Sequence, residues 1–289
     1  MCCFARPVNA VSDTKIFARL SEPKKQMLAY QMQYDSDEQN AMILPIPVAS
    51  PANKDSVRFI SLKEYDDFFK DLAKGYPLPA PANSSRVAAE AIDSKLVVHD
   101  VGDFVASFVP TMKDFDRLDQ RFVIPKSSWD KIPEYADYGF VVFQLKELRG
   151  TPHPMAFEFE TRLADKTFFP TVHIHDGEVH EREKFHHVLF MQSDQFDSGQ
   201  IKPPKGFVRS SRDTKTFVDI KKSQGLVDGE LMVHRKNMRG TLANKDVIVA
   251  SGFKHGGFGF MKPLIPALIT LLGLGWIIDR RNRLSKSAE

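Results

Sequence analysis

A side-chain period of two, repeated over many short segments, constrains this chain more than any other feature. In KQMLAYQMQY, residues 25–34, Met27, Ala29, Gln31 and Gln33 alternate with Leu28, Tyr30, Met32 and Tyr34. That is the pattern of a half-buried strand. TKIFARL precedes it across the polar turn SEPK, which contains Pro23. NAMILPIPVASP follows, and its prolines confine it to an edge or to a strand that ends there.

Two segments break the period. Ser61 and Glu64 form a capping box ahead of Tyr65, Phe68, Phe69 and Leu72, which share one face of a predicted helix. A second helix is capped by Thr111 to Asp114 and turns Phe115, Leu118 and Phe122 inward. Between them YPLPAPANSS reads as a Pro/Ala/Ser spacer, part of an internal break at 76–94. Strand patterns then resume. SKLVVHDVGDFVASFVPT gives two strands about a Val-Gly-Asp turn, and FVVFQLKE, HPMAFEFE, HHVLFMQ, TFVDI, ELMVHR and DVIVAS follow. Many strands with a few short helices predict an α+β fold dominated by antiparallel sheet, in one globular domain over 1–251.

A chain of 289 residues buries roughly three quarters of the surface its unfolded form exposes. Its twenty-three Phe suit an aromatic β core. The formal charge is +3, of which the last eleven residues, DRRNRLSKSAE, supply +2. The rest shows no broad basic footprint, which argues against nucleic acid as a partner. Adjacent Cys2 and Cys3 exclude a disulfide scaffold.

An uncharged apolar block occupies 263–278, opening at Pro263 and closing at Ile278. It is apolar on all faces and ends in Arg280, Arg281 and Arg283, which predicts a single transmembrane helix over 263–279. The Gly-rich residues 252–262 read as a tether, and 280–289 as a basic tail. The membrane is thus an expected partner. The positive-inside rule puts the tail in the cytoplasm and the head outside, although MCCFARPVNAV shows no signal peptide.

Five of the nine histidines fall in FFPTVHIHDGEVHEREKFHH, residues 168–187. Asp176-Gly177 is a hairpin turn signal. A two-residue loop puts His173 opposite His180 and His175 opposite Glu178. His173, His175, Glu178 and His180 would then share one face, while Val172, Ile174 and Val179 take the other. Three imidazoles and a carboxylate suit Zn, Fe or Mn with an open position. The same alternation also arises on any sheet with one face in water. His186 and His187 start the next strand and point to opposite faces. No nucleophile elbow, Walker loop or dinucleotide fingerprint occurs, so no cofactor-binding residues are read.

Cys2-Cys3, MILPIPV at 42–48, RLDQRFVIP, YADYGFVVFQLKE, HPMAFEFE and FFPTVHI follow one another in an order that resembles the uncharacterised bacterial domain-of-unknown-function 2330 family. The resemblance covers most of residues 2–175 and implies a β-rich, exported, membrane-associated architecture with no established activity. The function expected from these readings is a membrane-anchored β-rich binding or envelope module. The alternative is a metal-dependent enzyme built on the His-rich hairpin.

Overall fold

The computed structural model describes residues 2–76, 103–124 and 126–252. The first five strands are β1 (Cys2–Phe4), β2 (Ala10–Glu22), β3 (Lys25–Asp35), β4 (Ala41–Ile46) and β5 (Val57–Ser61). Next come β6 (Phe104–Val109), β7 (Gly139–Leu145), β8 (Arg149–Gly150), β9 (Met155–Glu160) and β10 (Lys166–Phe169). The last five are β11 (His173–Ile174), β12 (Arg182–Gln192), β13 (Val208–Arg209), β14 (His234–Ala243) and β15 (Val247–Ala250). Three short helices, α1 (Phe68–Ala73), α2 (Lys126–Trp129) and α3 (Asp194–Asp197), join them.

One sheet runs β13-β14-β12-β2-β3-β9-β5, with β8 added beside β3. A second runs β11-β1-β4-β7-β6, and β10 pairs with β15. All pairings are antiparallel except β12 with β2 and β1 with β11. The β2–β3 hairpin forms where SEPK predicts it, with Lys24 at φ 62° in the turn. Strand β3 is not half-buried, however. Residues 26–32 are all buried. The reason is position: β3 lies between β2 and β9, with a separate core on each side. On one side Leu28, Tyr30 and Met32 join Ile43, Phe143 and Phe157 between the two large sheets. On the other, Met27 and Ala29 meet Phe17, Phe68, Phe69, Leu72 and Phe190 under α1. Gln26 is tolerated in this interior because its amide copies a strand neighbour. Its Oε1 accepts from the Phe168 amide at 2.9 Å and its Nε2 donates to the Phe168 carbonyl at 2.8 Å.

Tyr65, Phe68, Phe69 and Leu72 are buried together as the pattern predicts, but the helix starts later than the Ser61/Glu64 box. Ser61 ends β5 instead, since its pairing with Met155 extends the ladder. The Thr111/Asp114 box does form, on a 3-10 helix over Met112–Arg117 with Phe115 buried. Pro45 lies in β4 beyond the residues paired with β1, so its missing N–H interrupts no ladder bond on that side. TFVDI is not a strand: Thr214–Thr216 is a 3-10 turn. The first strand read from SKLVVHDV lies outside the described residues.

One part of the expected fold class is corrected. Among the described residues no helix is long and apolar enough to cross a membrane; the longest α-helix, α1, has six residues. The described residues form a β-rich fold that contains no such helix, and the single-pass localisation read from it is withdrawn. The block that opens at Pro263 and closes at Ile278 lies outside the described residues.

Candidate functional site

The His-rich segment is not a hairpin. His173 and Ile174 pair in parallel with Cys2 and Cys3 of β1, so their ladder partner is not residues 179–180. Asn244 clamps this arrangement: its Oδ1 accepts from the His173 amide at 2.7 Å, and its Nδ2 donates to the His173 and His180 carbonyls. Only part of the turn is as predicted: Gly177 takes positive φ but Asp176 does not, so the two-residue hairpin turn does not form. Gly177 has φ +86°, and Asp176 Oδ1 accepts from the Glu178 amide at 3.0 Å.

Of the four expected ligands, only His173 and His175 come together, stacked with ring centroids 4.8 Å apart. Glu178 is exposed and paired with Lys131. His180 is exposed and its Nε2 lies 2.9 Å from Asp176 Oδ2, a contact that raises its pKa. The third member of the buried stack is His187. Its Nε2 sits 3.1 Å from His173 Nε2, and Phe185 packs against the His173 ring at 4.5 Å. The alternation does put His187 inside and His186 outside. What it cannot supply is the partner, because β11 and β12 belong to different sheets.

Burial pushes the pKa of His173 down to about 2 and that of His175 to about 4, and lowers that of His187 as well. All three imidazoles are therefore neutral at physiological pH. One ring of the His173–His187 pair donates to the other, while both Nδ1 atoms lack a partner among the described residues. Beside this stack Asp246 accepts from the Tyr135 hydroxyl at 2.6 Å and from the Thr171 and Val172 amides. Burial raises its carboxyl pKa despite those donors. The expectation of metal binding is corrected here: among the described residues no group of three or more His, Cys, Asp or Glu side chains could hold an ion. The physical reason is the splaying of Glu178 and His180 away from the stack.

A second arrangement looks outward. β5 ends one sheet and β6 ends the other. They flank a groove of about 300 Å³ lined by Phe59, Ile60, Ser61, Phe104, Ala106 and His153, among others. Its floor is aromatic: Phe104 and Phe59 both lie edge-on to Phe143, at 5.1 and 6.1 Å, and Phe104 packs on His153 at 4.4 Å.

The ladder bonds show which backbone groups face this groove. The Glu160 amide donates to the Ser56 carbonyl, making Ser56/Glu160 a hydrogen-bonded pair. Counting along the register, Phe59 and Ser61 fall in the alternate pairs, whose N–H and C=O point away from β9. On β6 the Lys146 amide donates to the Asp103 carbonyl, so Phe104 and Ala106 likewise point away from β7. These four residues all line the groove. Of their outward carbonyls, that of Ser61 accepts from Gln224 Nε2. Apolar side chains stand beside the same edges, with Phe59 38% and Val105 49% exposed. No sequence signal marks these positions, because edge status follows from sheet order.

No family model matches the chain. Among solved structures it is similar to baculovirus P35, at 15% identity and a TM-score of 0.47 over 84% of this chain and 97% of that one. It is also similar to the caspase-8/P35 complex, at 14% identity and TM-score 0.41 over 83% and 96%. A mutated baculovirus P35 after caspase cleavage gives 14% identity and TM-score 0.42 over 83% and 100%. At these scores the likeness carries no argument about the partners or activity of this chain.

Proposed function

We propose that this protein is a binding module that takes up an extended polypeptide segment in the groove between β5 and β6. The observation that supports the reading is the coincidence of two things at one place. The residues whose main-chain groups point off the sheet edges are also the residues lining an aromatic-floored groove. A strand added to an open edge gains main-chain hydrogen bonds, and alternate side chains gain specificity from pockets. The chemistry asked of the partner is an extended backbone with an apolar residue at every second position. Natural sheets blunt such edges with charge or proline, yet Phe59, which lines the groove, is large, apolar and 38% exposed.

The test is selection of short random peptides on the full chain, followed by affinity measurement against Phe59→Lys/Ala106→Lys, both of which line the groove. The reading predicts alternating apolar sequences whose affinity falls at least about tenfold, or 1.4 kcal/mol, in the double variant. Selected peptides that bind both proteins equally would rule the groove out.

A further inference from the structure

The small net charge hides an uneven distribution. Residues 182–192, 202–212 and 234–245 together hold ten Lys and Arg against one acidic residue, Glu183, while the whole chain sums to only +3. The fold gathers these three stretches at one end of the larger sheet, in the order β13-β14-β12. That end is opposite the groove, which lies against β5.

The register shows which charges share a surface. His186 stands opposite Arg239, Lys184 opposite Thr241 and Arg182 opposite Ala243, with Lys15 of β2 beside Val188. Alternation puts Glu183, paired with Leu242, on the other face. Arg182, Lys184, His186 and Arg239 are exposed. Asp13, whose amide donates to His186 Nδ1 at 3.3 Å, has its carboxylate taken by Lys15. Among the described residues neither Lys184 nor Arg239 has an ion pair. Cations crowded on neighbouring strands repel one another, and on this face neither β12 nor β14 supplies a carboxylate to offset this.

We propose that the outer face of β12 and β14 docks an acidic polypeptide segment. Charge complementarity selects an anion, and arginine suits carboxylates because its planar fork binds both oxygens at once. One observation favours polypeptide over nucleic acid. The sheet ends at this face in β13, whose Val208 is 57% exposed and offers an aliphatic contact beside Arg235, not an aromatic ring on which a base would stack. Arg235 itself is fixed over the Tyr76 ring at 4.1 Å.

The experiment titrates the full chain into fluorescently labelled poly-L-glutamate and reads anisotropy at low and high salt. The expected result is binding that weakens as salt rises and drops at least about tenfold in Lys184→Glu/Arg239→Glu. Lys184→Gln/Arg239→Gln, which removes charge without reversing it, should lose less. Lys54→Glu/Lys113→Glu makes the same net change at exposed positions elsewhere and should bind as the parent does. Three results would overturn the proposal: no binding by the parent at low salt, equal loss in the Lys54/Lys113 control, or tighter binding of a single-stranded oligonucleotide or of phosphatidylserine vesicles than of poly-glutamate.

Discussion

The three stacked histidines tie the two large sheets together while staying uncharged, and that makes folding sensitive to acid. Each is held neutral by burial, whereas in the unfolded chain each takes up a proton below about pH 6.5. Stability is therefore complete above that pH and falls as pH drops, by up to about 1.4 kcal/mol per pH unit for each group. For His175 the loss ends near pH 4, where its folded form protonates. Urea midpoints measured from neutral to mildly acidic pH should show this slope, and His187→Leu should make it shallower. An unchanged slope in that variant would show that His187 does not contribute. Tyr135→Phe tests the neighbouring contact. It leaves the raised Asp246 carboxyl without its hydroxyl donor, a loss of about 1–3 kcal/mol. The sequence shows that His173 and His175 share a face but not that another sheet covers that face, which is why they read there as ligands or wet residues.

At the scale of elements, period-two segments were the most legible part of the chain. β2, β3, β7, β9, β12 and β15 all fall where alternation puts them. The helices were less so, because a capping box is a local signal that a neighbouring strand can override; Ser61 is held in β5 by its pairing with Met155. The apolar face itself was read correctly. Phe68 is fully buried, with Phe17, Tyr65 and Phe69 edge-on around it at 5.1 to 5.8 Å. Phe68→Ala should accordingly cost about 3–5 kcal/mol in chemical unfolding. Val105→Lys, at a position of β6 that is 49% exposed, should change stability by no more than about 0.5 kcal/mol. A loss from Val105→Lys as large as that from Phe68→Ala would mean that Val105 is a core residue.

The arrangement of the whole molecule was the least legible in its sequence. Strand order depends on pairings between distant residues, such as β1 with β11, that no local pattern encodes. This order leaves β5 and β6 as the open ends of two sheets beside one groove, and it gathers the basic stretches around β13 and β14. It also splays the expected metal ligands. The most direct test of the groove is amide hydrogen exchange, residue by residue, with and without a peptide selected on the full chain. Strand addition should protect the Phe59, Ser61, Phe104 or Ala106 amides on binding, along one edge and at alternate residues. Peptide binding that leaves all four amides unprotected would contradict it.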